Sequence, residues 1–212
     1  GKDSMKNDYV WEDLKISVLP TLLFSVIGKI EDVRNAVSMD FKNAGDAIYI
    51  VGLTDARMAY SEYFCLMQRG EETEVPLPHR EINREIFYRL HNLMKMNIIK
   101  SCHDISDGGL AVALAESAFA GGLGAEIEIK EVPCTVEMRE DFILFSETPG
   151  RFILTVGERE RSQFENLMKG VPLCFLGYVS DSGIFTIKKD GKELIRENIE
   201  NLMKSFLKTL DF

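Results

Sequence analysis

The chain has 212 residues, a formal charge of −9 and 45% hydrophobic residues, enough apolar material for one large domain or one domain with an added piece. Its 34 acidic against 25 basic side chains, with no stripe of Lys or Arg, exclude a nucleic-acid surface built on phosphate neutralisation. No apolar run approaches ~18 residues and no charged-then-apolar leader opens the chain, so neither a membrane span nor a signal peptide is expected. The four cysteines, Cys65, Cys102, Cys134 and Cys174, form no Cys-x-x-Cys pair and read as reduced cytosolic thiols.

In chain order, Gly1-Lys-Asp-Ser-Met5 is a polar opening in which Lys2 and Ser4 could serve a phosphate, or which is simply a frayed terminus. Val18 to Ile27 reads as a strand and Glu31 to Val37 as a helical turn. Asp46 to Gly52 is β-rich and predicts a central strand, and Thr54 to Gln68 predicts a helix. Gly70 to Pro78, acidic and proline-bearing, reads as a linker. Between His79 and Asn97, Ile82, Ile86, Leu90, Leu93 and Met94 recur at helical spacing, the pattern of an amphipathic helix laid on a sheet. His79 and His91 are expected on it as solvated or face-edge residues, without a functional role.

Ile98 to Cys102 predicts a short buried strand, and Leu110 to Phe119, interrupted only by Glu116 and Ser117, a buried helix that Gly121-Gly-Leu-Gly124 ends. Ala125 to Lys130 alternates as a half-exposed strand. Thr135 to Phe145 reads as a helix, Phe152 to Val156 as a second buried strand and Glu158 to Met168 as a helix. Leu173 to Val179 and Ile184 to Lys188 read as strands joined through the turn at Asp181-Ser-Gly183. After Asp190-Gly191, the apolar stripe of Leu194, Ile195, Ile199, Leu202, Met203, Phe206 and Leu210 predicts a closing helix. The imperfect alternation, with β-β neighbours late in the chain, points to an α+β fold: a layered mixed sheet with flanking helices.

The chemistry concentrates between the strand at Ile98 and the helix at Leu110, in His103-Asp-Ile-Ser-Asp-Gly-Gly-Leu110. One imidazole, two carboxylates, a hydroxyl and two glycines meet where a helix begins and its first N–H groups lack intrahelical partners. Two readings stay open. In one, Asp104 or Asp107 holds Mg²⁺ and Ser106 donates to a phosphate oxygen, with Gly108 and Gly109 letting the ligand approach. In the other, Ser106 or Asp107 is the helix N-cap and the glycines serve a tight turn. Downstream, Glu147 and Arg151 flank a Pro-Gly turn and could clamp an anion or pair with each other.

The run from His103 to Leu110, continued to Gly124, resembles the second half of phosphoribosylformylglycinamidine synthase, the ATP-dependent amidotransferase of purine biosynthesis. The same resemblance is carried by Gly1 to Met5, Pro20 to Gly28, Ile30 to Val33, Ser38 to Lys42 and Phe145-Ser-Glu-Thr-Pro-Gly-Arg-Phe152. It departs at Ala59-Tyr60, where a pair of glycines usually precedes Ser-Glu-Tyr, and at Thr148-Pro149, where Ser-Gln is commoner. It implies the C-terminal domain of the aminoimidazole ribonucleotide synthetase superfamily over residues 44–212, with residues 1–43 as the tail of the preceding domain.

The resemblance further implies a carbon–nitrogen ligase with glutamine as amido donor, in the cytoplasm, working with its upstream domains and a glutaminase domain or subunit. On this chain it implies an auxiliary Mg²⁺-ATP or Mg²⁺-ADP site. Asp104 would be the metal ligand; Ser106, Asp107, Gly108, Gly109, Lys2 and Ser4 would bind nucleotide, and His103, Glu147 and Arg151 would stand nearby. No catalytic residue is expected here, and the isolated chain should not turn over. The alternatives are a packing and assembly domain without ligand, or a related synthetase or kinase of the same superfamily.

Overall fold

A computed structural model describes residues 8–17, 24–68 and 74–208. Two compact units divide at Val33 and Arg34. The smaller contains an antiparallel hairpin, β1 (Asp8–Trp11) and β2 (Leu14–Ser17), closed by a two-residue turn in which Glu12 takes φ 51 and braced by a Lys15–Asp8 ion pair at 3.1 Å. The sequence pattern did not reveal this hairpin. Of the strand expected at Val18 to Ile27, residues 24–27 are irregular and exposed, and the rest lies outside the described residues. A short 3-10 turn, Val33–Asn35, occupies the predicted helical turn.

The larger unit is a seven-stranded mixed sheet between two layers of helices, which bears out the α+β expectation. Its elements are β3 (Ala47–Val51), α1 (Glu62–Leu66), α2 (Arg80–Lys95), β4 (Ile99–Asp104), α3 (Gly109–Gly121), β5 (Gly124–Glu128), α4 (Glu140–Phe145), β6 (Phe152–Val156), α5 (Arg161–Leu167), β7 (Leu173–Ser180), β8 (Ile184–Lys189), β9 (Lys192–Asn198) and α6 (Ile199–Leu207). The strand order is β4-β6-β3-β7-β5-β8-β9, antiparallel throughout except for the β5–β8 pair.

All five residues of β3 are buried, because both faces of this interior strand are covered. Ile48 and Ile50 join a core with Leu110, Leu114 and Ala118 of α3 and Ile143 and Leu144 of α4. Tyr49 and Val51 face the other way, into a core with Ile86, Leu90 and Leu93 of α2 and Phe164 of α5. The alternation of β3 thus assigns each helix to a side. Arg161 of α5 lies over the Phe175 ring at 4.2 Å and bonds Glu165 and Tyr178, while the Tyr49 hydroxyl donates to Glu165 at 2.6 Å.

Four expectations are corrected. Residues 192–198 form β9, an edge strand paired to β8 through a hairpin with Asp190 at φ 51 and Gly191 at φ 75, so the closing helix starts only at Ile199. The turn at Asp181-Ser-Gly183 does not make a hairpin, since β5 lies between β7 and β8. Thr54 to Gln68 contains only the five-residue α1, and Thr135 to Phe145 only the six-residue α4. In the first of these Thr54 forms a β-bridge with Cys134, and Tyr60 at φ 58 is in the left-handed region, which a right-handed helix does not admit.

Candidate functional site

The pairing registers bring three loops to one end of the sheet. Val51 of β3 and Asp104 of β4 both stand opposite Phe152, the first residue of β6. The exits of β3 and β4 therefore meet the entry of β6, and the segment Ser146 to Arg151 lies among them. This short stretch is the hub of the region. The Ser146 hydroxyl donates to Asp55 O at 2.9 Å and meets the Thr148 hydroxyl at 2.8 Å, while Asp55 N–H donates to Thr148 Oγ1 at 2.9 Å. From α2, Asn83 donates to Pro149 O at 3.1 Å, and Ile105 N–H donates to Arg151 O at 2.9 Å.

Arg151 is 1% exposed and holds this hub from inside. Its guanidinium donates to Thr148 O at 3.1 Å, to Thr54 Oγ1 at 3.0 Å and to Ser146 O. Burial lowers its pKa to about 10, so it stays charged near neutrality. It makes no ion pair among the described residues, so the expected Glu147–Arg151 pair is not formed. Its donors face inward to the chain's own carbonyls.

Glu147 does something else. Its Oε1 accepts the N–H of Gly108 at 2.8 Å and that of Glu62 at 2.9 Å. Gly108 is the N-cap of α3, in the left-handed region at φ 78, and no side chain of its own neighbourhood caps the helix. The expectation that Ser106 or Asp107 is the N-cap is therefore corrected. The carboxylate arrives from a residue 39 positions away in sequence. No local spacing rule could have found it.

The glycines are needed by the chain itself. A Cβ on Gly109, at φ +71, would stand 2.6 Å from Ser146 O, 2.7 Å from Phe145 C and 2.8 Å from Leu144 O, all backbone atoms at the end of α4. On Gly108 it would meet Val112 at 2.5 Å. Ile105, 3% exposed, anchors the turn, whereas Ser106 and Asp107 point to solvent. The Asp104 side chain is 66% exposed, and its Oδ1 lies 3.3 Å from His103 Nδ1. The other ring nitrogen of His103 is 2.8 Å from Glu116 Oε2 on α3. His103 thus bonds to α3 through Glu116 and lies beside Asp104.

Lys2 and Ser4 lie outside the described residues. No group of three or more His, Cys, Asp or Glu among the described residues is placed to hold a metal unaided. An open cleft of about 530 Å³ lies elsewhere, lined by Ala56, Glu137, Arg139, Glu140, Phe142 and Lys189. Three of its four charged residues are already matched, Lys189 with Glu140 at 3.2 Å and Arg139 with Asp141 at 2.8 Å. His79, expected as a solvated or face-edge residue, is partly buried, its Nε2 3.9 Å from Asp55 Oδ2 and without a hydrogen bond among the described residues.

The sequence profile of AIR synthase related protein, C-terminal domain, matches residues 43–190. The chain belongs to this family. Relatives of this AIR-synthase-related chain include the phosphoribosylformylglycinamidine synthase subunit PurL of Alkaliphilus metalliredigens, 32% identical over 89% of the chain and 25% of the relative. The same subunit of Methanocaldococcus jannaschii is 32% identical over 97% of the chain and 28% of the relative. The chain thus spans about a quarter of the length of the curated relatives it matches.

Among solved structures, Thermotoga maritima PurL complexed with ATP superposes with a TM-score of 0.65 at 16% identity, over 80% of this chain and 27% of that one. The hydrogenase maturation protein HypE in complex with ATP gives 0.54 at 17% identity, over 78% and 54%. At these identities the two likenesses speak to the fold of the AIR-synthase-related domain alone.

Proposed function

We propose that this chain is part of a phosphoribosylformylglycinamidine synthase, the enzyme that converts formylglycinamide ribonucleotide to its amidine with ATP and glutamine, and that its share is an auxiliary Mg²⁺-nucleotide site at the 104–109 turn. The observation that carries the reading is the exposed carboxylate of Asp104 beside the start of α3, in a chain about a third identical to synthase subunits. Mg²⁺ takes one or two protein carboxylates and completes its shell with phosphates and water, so a single presented aspartate fits it where a full protein cage is absent. Ser106 and Asp107, both exposed, are the further donors and acceptors of the turn. Bound there, Mg²⁺ would offset the negative charge of a polyphosphate arriving among Asp104, Asp107 and Glu147. His103 would keep Asp104 turned toward the ligand through its hold on Glu116.

The amide activation and ammonia transfer belong, on this reading, to upstream domains and to a glutaminase on the same or another polypeptide. On the same reading the domain boundary falls near residue 43 and the protein works in the cytoplasm. A second reading, a packing domain without ligand, is favoured by one fact: Glu147 already satisfies Gly108 N–H. A related synthetase of the superfamily is the remaining alternative. Calorimetric titration of the full-length polypeptide with Mg²⁺-ADP separates them. The synthase reading expects binding that Asp104→Ala weakens at least tenfold, with glutamine-dependent ATP hydrolysis on formylglycinamide ribonucleotide. Binding unaffected by that change would refute the site.

A further inference from the structure

Two helices begin with backbone N–H groups that their own turns cannot satisfy, and one oxygen serves both. α1 is capped locally by Ser61, whose hydroxyl accepts the N–H of Phe64 at 3.2 Å. That leaves the amide of Glu62, its first residue, which donates to Glu147 Oε1 at 2.9 Å. The same oxygen accepts Gly108 N–H at 2.8 Å, at the start of α3. A shared acceptor oxygen fixes the distance between its two donors.

Glu147 is itself held firmly. It follows α4 directly, between Ser146 and Thr148, both fully buried and bonded to Asp55. The body of α1 is anchored independently of it: Phe64 is 2% exposed, and the Tyr63 ring stacks on Phe145 at 4.8 Å. What Glu147 adds is a register between the first residue of α1 and the turn that precedes α3. Two residues before Glu62 stands Tyr60, a non-glycine at φ 58 and 62% exposed.

We infer that Glu147 is a positioning residue that ties the start of α1 to the 104–109 turn, so that ordering one orders the other. The inference rests on the nucleotide reading only for the identity of the ligand that would exploit the tie. The mechanism is geometric: an oxygen at this reach is required, whereas the full negative charge is not. Glu147→Gln preserves the reach and an acceptor oxygen. Glu147→Ala removes the acceptor, and Glu147→Asp keeps the charge but is one methylene too short to meet both amides.

Amide hydrogen exchange on the full chain tests this, with Ile50 and Leu154 as reporters of the intact core. Without ligand, Glu147→Ala and Glu147→Asp should each speed exchange at Glu62 and Gly108 together by roughly tenfold or more, and Glu147→Gln by less than about threefold. With Mg²⁺-ADP, the wild type and Glu147→Gln should slow at both amides, and Glu147→Ala at Gly108 alone. Unchanged exchange in Glu147→Ala, or a response of one amide without the other in the ligand-free protein, overturns the tie. If Glu147→Ala fails to fold, the Asp and Gln variants decide the question by the same contrast. Should Mg²⁺-ADP alter nothing in the wild type, the nucleotide reading falls and the ligand-free contrast alone judges the tie.

Discussion

Replacing Arg151 separates an internal strut from a ligand clamp. Its guanidinium, on a residue 1% exposed, satisfies Thr148 O at 3.1 Å, Thr54 Oγ1 at 3.0 Å and Ser146 O, with no carboxylate in ion-pair contact among the described residues. Arg151→Met would strand up to three acceptors at ~1–3 kcal/mol each, partly offset because burying the charge itself costs several kcal/mol. A net loss of roughly 2–4 kcal/mol follows. Arg151→Lys should be no better and even worse, by about 3–5 kcal/mol, because an ammonium keeps the buried charge but cannot fork to three acceptors. Urea unfolding followed by far-UV circular dichroism reads both values, the midpoint falling at constant slope. A lysine variant within about 1 kcal/mol of the wild type would refute the reasoning.

Gly109→Ala should cost roughly 2–5 kcal/mol, combining the left-handed backbone penalty with a clash against the end of α4. Gly122→Ala, at φ +66 with nothing near its Cβ, should cost only about 1–2 kcal/mol; equal losses would remove the close packing of α3 on α4 from the account. At pH 8, iodoacetamide followed by mass spectrometry should modify exposed Cys65 first. Cys102 and Cys174 should resist until the chain unfolds, because burial pushes their thiols up to about 12 and about 11, which favours the unreactive protonated form. Glu165 is held below its usual carboxylate pKa, first by the Tyr49 hydroxyl and then by Arg161. Its contribution is therefore present above the unfolded value near 4.5 and lost as pH falls through the lower folded value. Glu165→Gln should destabilise the protein at pH 7 and match the wild type in acid; a gap that persists there would contradict the assignment.

Much of the fold was legible where one periodicity dominated. β3, β6 and α2 lie close to where their residues placed them, because a buried run or a one-sided stripe admits a single solution. β9 was not legible: Leu194, Ile195, Ile199 and Leu202 fit helical spacing, yet the Asp190-Gly191 turn folds Lys192–Asn198 back onto β8. Nor was the insertion of β5 between β7 and β8, since no local signal tells a hairpin from a crossover. At the site, the His103 to Gly109 cluster announced itself by its density of polar types. The acceptor that closes it did not, for Glu147 reaches Gly108 and Glu62 through tertiary structure alone. Arg151 was legible only as a cation flanking a Pro-Gly turn, and only the converging loops show it to be buried.

The most direct test is a crystal of the full-length protein grown with Mn²⁺ and ADP, with data collected at the manganese absorption edge. The account predicts an anomalous peak at direct coordination distance, about 2.1 Å, from an Asp104 carboxylate oxygen, with the diphosphate next to Ser106. A peak seated elsewhere, for instance in the cleft beside Glu140 and Lys189, or an Asp104 carboxylate bearing neither metal nor phosphate, would contradict it.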